Sequence, residues 1–147
     1  MTTIYTIGFT KKTAEQFFEL LRKHGIKKVV DVRLNNTSQL ASFAKMPDLK
    51  YFLEKICSID YEQITDFAPP KTLLDDYHHK TVDWMGYEKV FRQTLTERHI
   101  DKKYTAEQFD NCCLLCSEET PEHCHRRLVA EFLKQHADEE VRILHLK

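Results

Sequence analysis

The first 33 residues of the chain follow the pattern of a β-strand, an α-helix and a second β-strand, and this order constrains the fold most. Residues 4–7 are rich in strand-forming side chains and end at Gly8. Thr13 and Gln16 have the spacing of a helix capping box, and apolar residues then recur with helical periodicity until Gly25. Residues 29–32 form the second strand pattern. Strands joined by a helix are normally parallel with a right-handed crossover, so the chain is predicted to be an α/β protein.

The C-terminal part of the chain continues this alternation. Residues 111–116 form a nearly continuous apolar run, which is typical of a strand buried on both faces of a parallel sheet. Helically spaced apolar residues follow at 128–133, and residues 141–146 alternate as a last strand would. We therefore predict one α/β domain over residues 1–147, with a mainly parallel β-sheet flanked by helices in a Rossmann-like three-layer arrangement.

The middle of the sequence is less regular. Residues 34–47 are predicted to be a loop, residues 49–56 and 87–95 have helical spacing, and Thr105 with Gln108 is expected to cap one further turn. Residues 60–85 contain Pro69-Pro70 and little periodicity. We predict an irregular helical excursion there, with one short helix, and a segment this long is often functional.

Composition narrows the functional classes. The 147 residues are 41% hydrophobic and 31% charged with a net charge of −1, which predicts a soluble globular domain. No global charge bias favours nucleic acid, and no apolar stretch approaches the ~20 residues that span a bilayer. The five cysteines are an odd number, and the N-terminus has no export signal pattern, so reduced thiols and a cytoplasmic location are expected.

Reactive side chains follow three of the predicted strands. Ligands of open α/β sheets bind beyond the carboxyl ends of the strands. Here those ends carry Gly8-Phe9-Thr10, Asp31-Val32-Arg33 and Cys116-Ser117-Glu118. If the strands are parallel, all three segments meet at one edge of the sheet, and we predict the functional site there.

Cys116 is the best candidate for a catalytic nucleophile. It ends a strand, it is followed by a helix N-terminus, and arginines are expected nearby; each of these factors lowers the pKa of a thiol. Asp31 and Glu118 are the candidate proton carriers. The alternatives remain open: a packed thiol for Cys116, and for Asp31 a structural pair with Arg33 or Arg126.

The start of the last predicted helix suggests an anion site. Its first turn has free backbone N–H groups, yet the cations His125, Arg126 and Arg127 lie there, where the helix dipole disfavours them. A bound phosphate, carboxylate or sulfate would compensate, and neutralisation by Glu118, Glu119 and Glu122 is the alternative. The candidate ligand-binding residues are Gly8, Thr10, Arg33, Cys124, His125 and Arg126.

Some of the same residues also have the chemistry of metal ligands. A zinc ligand set of three cysteines and one histidine is matched in residue type by Cys113, Cys116, Cys124 and His125. Positions three apart on a strand face opposite sides of a sheet, so Cys113 and Cys116 should diverge, and no metal ligand is assigned. A smaller transition-metal site at Cys116, Cys124 and His125 remains an open alternative, and the cofactor is unknown.

Three motifs together resemble the family catalogued as domain of unknown function 488. They are Tyr-Thr-Ile-Gly at 5–8, Val-Asp-Val-Arg at 30–33, and Leu-Cys-Ser-Glu at 115–118 with Cys-His-Arg at 124–126. The resemblance covers nearly the whole chain and implies a small α/β domain, mostly prokaryotic, with no implied function. The family commonly has His then Ser after the first Gly, where this chain has Phe9 and Thr10. A mechanism based on that histidine is therefore not expected here.

The favoured functional hypothesis is a domain that binds a small anionic or nucleotide-like ligand. If the protein is an enzyme, it processes this ligand with Cys116 as the nucleophile. The alternatives are a non-catalytic adaptor that binds nucleic acid or protein through the same edge, and the transition-metal site. No membrane partner is expected, and the sequence does not decide whether the protein is an enzyme or what its oligomeric state is.

Overall fold

A single parallel β-sheet organises the protein in the computed structural model, which describes residues 1–37 and 42–147. The strands are β1 (Thr2–Gly8), β2 (Lys28–Asp31), β3 (Asp60–Gln63), β4 (Cys112–Cys116) and β5 (Val141–Leu146). Their order across the sheet is β3-β2-β4-β1-β5, and every neighbouring pair is parallel. The predicted α/β class and parallel sheet are confirmed.

Helices surround the sheet. They are α1 (Ala14–Lys23), α2 (Asp48–Tyr51), α3 (Lys71–His78), α4 (Trp84–Glu97), α5 (Ile100–Lys103) and α6 (His125–Gln135). A π-helical segment (Phe52–Ile56) continues α2, and 3-10 turns occupy Ser42–Ala44, Thr65–Phe67 and Ala106–Phe109. None of the described helices has the length and apolar content needed to cross a membrane.

The predicted helix signals are found where expected. The Thr13 hydroxyl accepts a hydrogen bond from the Gln16 backbone N–H at 3.1 Å, and the Gln16 side chain accepts one from the Thr13 N–H at 2.9 Å. Gly25 ends this region with a φ of 63°, a left-handed conformation that glycine adopts without steric cost. Thr105 and Gln108 form a second capping box before the short turn that the sequence predicts.

The central excursion is more regular than the sequence predicts. Residues 60–85 were expected to contain one short helix, which is α3, but they also contain the strand β3. β3 is a four-residue strand at the edge of the described sheet, where it pairs with β2, and its polar side chains are at least partly exposed. Such a strand lacks the apolar alternation that reveals a buried one. Of the predicted loop at 34–47, residues 38–41 lie outside the described part of the chain, and the 3-10 turn Ser42–Ala44 follows them.

Each face of the sheet packs against its own hydrophobic cluster. Ile4, Val30 and Leu114 face the cluster that includes α4 and α6, whereas Ile7, Val29 and Leu115 face the cluster that includes α1. Cys116 belongs to the first cluster and Cys113 to the second, so these two thiols diverge as predicted. The three-layer arrangement thus places α6 over the same face as Cys116.

Candidate functional site

The three predicted strand ends lie side by side because β4 runs between β1 and β2. Gly8 is in register with Cys116, and Asp31 is in register with Leu115. The chain beyond β2 remains attached to β4, since the Val32 N–H donates to the Leu115 carbonyl at 3.1 Å. The expectation that distant segments meet at the C-terminal edge of the sheet is confirmed.

A pocket of about 280 Å³ opens at this edge, and we call it the rim pocket. Loops after β2 and β4, the excursion, and the starts of α4 and α6 all contribute to its wall. Its lining residues are Arg33, Leu34, Asn35, Pro69, Leu74, Tyr77, His78, Trp84, Tyr87, Cys116, Ser117, Glu118, His123, Cys124 and His125.

Two thiols and an imidazole form the most reactive part of the rim pocket. One ligating atom from each of Cys116, Cys124 and His125 lies within 4.8 Å of the others, and all three residues are buried. The Cys116 Sγ is 3.6 Å from the His125 Nδ1, and the His125 Nε2 is 2.7 Å from the Val32 carbonyl oxygen. Because a carbonyl only accepts hydrogen bonds, Nε2 carries the proton and donates it. The Cys116 Sγ is also 3.9 Å from Nε2, so the sulfur lies beside the imidazole ring.

The two cysteines titrate differently. The hydrogen bond with Cys124, followed by burial, raises the pKa of Cys116 well above its usual value. Burial also opposes ionisation of Cys124, but hydrogen bonds from Cys116 and His125 and the charge of Arg126 hold its pKa well below the usual value. The sequence predicts a lowered pKa at Cys116, and this expectation is wrong: the pKa of Cys116 is raised, and the lowered pKa belongs to Cys124.

Asp31 is held in a fully paired, buried network. Its carboxylate receives two hydrogen bonds from the Arg33 side chain, from Nε and Nη2, each at 2.8 Å. The Tyr61 hydroxyl donates to the same carboxylate at 2.6 Å, and the Asn36 amide donates at 3.4 Å. Burial, and then the charge of Asp31, raise the pKa of Tyr61. The arrangement matches the structural Asp31–Arg33 pair that the sequence left open.

One nitrogen of the Arg33 guanidinium has no hydrogen-bond partner among the described residues. Its side chain is 4% exposed, and Nη1 is buried with no hydrogen-bond partner among the described residues. The guanidinium carbon lies 5.4 Å from the centre of the Phe9 ring, a cation–π contact. Phe9 thus packs against the arginine of the rim pocket.

Arg126 is a buried cation without a carboxylate partner in the described chain. It is 0% exposed; Nη1 donates to the Glu118 carbonyl oxygen at 2.8 Å, and Nε lies 3.4 Å from the Thr6 hydroxyl. Gly8 allows this contact, because a Cβ at Gly8 would lie 1.6 Å from the Glu118 carbonyl oxygen. Arg126 and Gly8 therefore fix the loop between β4 and α6 from behind the rim pocket.

The other charges near α6 are neutralised elsewhere. Arg127 pairs with Glu88 at 3.0 Å and with Glu131 at 2.9 Å, and Glu119 pairs with Lys11 at 3.5 Å. Among the described residues, no ion pair joins the side chains of Glu118, Glu119 or Glu122 to the cations at the start of α6. Of the three predicted cations, only Arg127 is therefore neutralised by described glutamates, and these are Glu88 and Glu131 instead of the predicted ones.

The structure divides the predicted site residues into groups. Arg33, Cys116, Glu118, Cys124 and His125 line the rim pocket. The residues Gly8, Asp31 and Arg126 lie behind its wall and position its side chains. Thr10 lines a neighbouring pocket of about 600 Å³ with several lysines, and its backbone N–H donates to the Ser117 carbonyl at 3.0 Å.

The sequence of this chain also matches a known family. Residues 13–133 match the family described as Domain of unknown function DUF488. The chain belongs to this family. Searches of curated proteins and of solved structures found no match to this DUF488 protein. The family description carries no activity, so any function rests on the geometry of the rim pocket.

Several residues of the rim pocket in this DUF488 protein were underestimated from sequence. Trp84 stacks on Tyr87 with ring centres 4.9 Å apart and on His123 at 5.1 Å. Trp84 and Tyr87 pack against the hydrophobic core and also line the rim pocket. His123 was not singled out, although its position beside Cys124 was a usable signal. Tyr61 and Asn36 gave no chemical signal, because their role depends on the distant Asp31.

Proposed function

We propose that this DUF488 protein binds a small anionic molecule in the rim pocket and attacks it with a thiolate of the Cys116–Cys124 pair. One observation carries the proposal. Arg33 Nη1 is buried and has no partner among the described residues, and Arg33 lines the same pocket as both cysteines. A buried guanidinium nitrogen without an acceptor is costly, and a phosphate, sulfate or carboxylate oxygen would satisfy it.

The contacts around this nitrogen favour a positioned anion. Asp31 engages Nε and Nη2, so the plane of the Arg33 guanidinium is fixed, and an anion reaches the buried Nη1 once a neighbouring side chain of the pocket wall moves aside. Asp31 is therefore a positioning residue in this proposal, and its fully paired carboxylate is a poor general base. Glu118 lines the rim pocket and remains the candidate proton carrier.

The thiol pair supplies the nucleophile. Cys124 is the N-cap residue of α6, and Cys116 lies against the His125 Nδ1 at 3.6 Å. In the proposed step the thiolate sulfur forms a bond to the electrophilic atom of the ligand. The leaving group departs with its electron pair and takes a proton from Glu118. The buried charge of Arg126 and the N-terminus of α6 stabilise the thiolate before the attack.

Competing alkylation by iodoacetate and iodoacetamide tests this proposal directly. The two reagents differ mainly in that iodoacetate has a carboxylate that Arg33 can bind. Rates are measured at pH 7 in the presence of EDTA, with peptide mass spectrometry to read each cysteine. We expect the iodoacetate-to-iodoacetamide ratio to be at least tenfold higher at Cys124 or Cys116 than at Cys57, the internal control.

A double variant separates the anion site from the thiols. Asp31→Asn with Arg33→Met removes both members of the buried pair and leaves no unpaired charge. We expect the iodoacetate preference to disappear in this variant, while iodoacetamide still labels the rim cysteines. Equal ratios at all reactive cysteines, or a preference unchanged in the double variant, would contradict the anion site. If Cys116 and Cys124 are both alkylated more slowly than Cys57, neither is the proposed nucleophile.

A further inference from the structure

We propose that Cys116, Cys124 and His125 also bind a zinc ion, with its fourth coordination position open to the rim pocket. This inference goes beyond the proposed function, because it concerns a second occupant of the same thiols. The three ligating atoms lie within 4.8 Å of one another, and the residues are 5%, 2% and 7% exposed. Two sulfurs and one imidazole nitrogen are ligands that zinc prefers.

The distance between two of the ligating atoms equals the distance expected in a tetrahedral zinc site. With Zn–S of about 2.3 Å and Zn–N of about 2.0–2.1 Å, tetrahedral angles place sulfur and nitrogen about 3.6 Å apart. The Cys116 Sγ and the His125 Nδ1 are 3.6 Å apart in the structure. The same sulfur is also 3.9 Å from the His125 Nε2, so it lies beside the imidazole ring, and the Cys116 side chain must rotate toward the Nδ1 lone pair when an ion binds.

The histidine is also oriented as a metal ligand. Zinc-bound histidines usually donate their second ring N–H to a carbonyl or carboxylate, which fixes the ring and leaves a lone pair for the metal. The His125 Nε2 donates to the Val32 carbonyl oxygen at 2.7 Å, so Nδ1 is the free ligand atom. The Phe91 ring packs edge-on against this imidazole with centres 5.6 Å apart and restricts its rotation.

Local charge and ligand number indicate an open site. Two thiolates neutralise the 2+ charge of the ion, while the nearby Arg126 makes further unpaired negative charge favourable. Structural zinc sites normally have four protein ligands, and three protein ligands with a fourth open position are typical of catalytic ones. Arg33 lines the pocket beside this group, so the fourth ligand is expected to be an anion or hydroxide.

Cobalt substitution tests the site on the whole chain. The protein is reduced, treated with EDTA, desalted and titrated with Co²⁺. Tetrahedral cobalt bound by thiolates has intense visible bands and a sulfur-to-cobalt charge-transfer band in the near ultraviolet. We expect one Co²⁺ per chain and complete loss of colour when one equivalent of Zn²⁺ is added. A weak octahedral spectrum without charge transfer would overturn the inference.

Matched cysteine variants locate the ion. Cys116→Ser and Cys124→Ser should each reduce the charge-transfer intensity by at least half, whereas Cys57→Ser should leave the spectrum unchanged. In case the first two variants fold poorly, the wild-type chain gives an independent readout. One equivalent of Zn²⁺ should slow iodoacetamide labelling of Cys116 and Cys124 at least tenfold and leave Cys57 unaffected. Absence of this selective protection would also overturn the site.

The inference and the proposed function can fail separately. The iodoacetate preference is measured with EDTA present, and cobalt binding is measured without an alkylating reagent. Absence of the preference with intact cobalt binding would remove the anion site and leave the metal site. If the preference is observed and cobalt does not bind, the metal site is wrong and the anion-binding thiol pair stands.

Discussion

Replacement of Gly8 by alanine is the sharpest test of how the site is built. Gly8 ends β1, and an added Cβ would lie 1.6 Å from the Glu118 carbonyl oxygen and 2.7 Å from the Glu118 carbonyl carbon. Both are backbone atoms of the loop that joins β4 to α6, so no side-chain rotation relieves the clash. The loop must move away from β1, and the 2.8 Å hydrogen bond from Arg126 to the Glu118 carbonyl is then broken.

The expected loss combines two contributions. Overpacking at a close backbone contact costs about 1–3 kcal/mol, and loss of a hydrogen bond from a buried charged group costs about 1.5–3 kcal/mol. Gly8→Ala should therefore lower the free energy of unfolding by about 3–5 kcal/mol, allowing for partial relaxation of the loop. Urea denaturation followed by circular dichroism measures this change, provided that the dependence on urea concentration is unchanged.

Gly25→Ala is the matched control. Gly25 has a φ of 63° and no atom within 4 Å of its added Cβ, so only the left-handed backbone opposes alanine. That conformation costs an L-residue about 1–2 kcal/mol. If Gly8→Ala destabilises the protein no more than Gly25→Ala does, the close approach of Glu118 to Gly8 is wrong.

Three further perturbations test the surrounding network. Asp31→Asn leaves the buried Arg33 without its charge partner and should lower the free energy of unfolding in urea by about 3–5 kcal/mol. The double variant Asp31→Asn with Arg33→Met should lower it by less, and equal losses in the two variants would contradict the pairing. Two arginine side chains, by hydrogen bonding, outweigh burial and hold the pKa of Glu131 below its usual value. The free energy of unfolding should therefore fall as the pH drops below about 4.3, the pKa of Glu131 in the unfolded chain, and Glu131→Gln should make that fall shallower. If the pH dependence of the variant equals that of the wild type, the two arginine contacts do not lower the pKa of Glu131. Phe9→Leu removes the ring beneath Arg33 and should cost about 1–2 kcal/mol, measured in the same way, and a neutral effect would mean that the cation–π contact contributes nothing.

The fold was predictable where burial leaves a pattern in the sequence. β4 is buried at every position, and β1 and β2 are also largely buried, so their apolar runs identify them as internal strands. Their carboxyl ends then follow from the parallel arrangement, and the location of the site follows from those ends. β3 carries no such signal because its residues Asp60–Gln63 lie at the edge and alternate between exposed and half-buried.

The chemical roles within the site depend on contacts that sequence does not encode locally. Cys116 and Cys124 both have favourable neighbours in sequence, but their mutual contact, their burial and the charges of His125 and Arg126 raise the pKa of Cys116 and lower the pKa of Cys124. Arg33 was identified as an anion ligand, yet two of its nitrogens are engaged by Asp31, and only Nη1 remains. Tyr61 completes this pair from a strand that the sequence did not reveal.

The central position of β4 has a consequence for biosynthesis. β1 and β2 are not paired with each other. Both hydrogen-bond to β4, so that Ile4 pairs with Cys112 and Lys28 pairs with the same residue from the other side. During translation the N-terminal half therefore emerges with two apolar strands and no partner between them. The nascent chain must hold these edges unpaired until residues 112–116 leave the ribosome, which makes this interval the one in which chaperone binding or misassociation is expected.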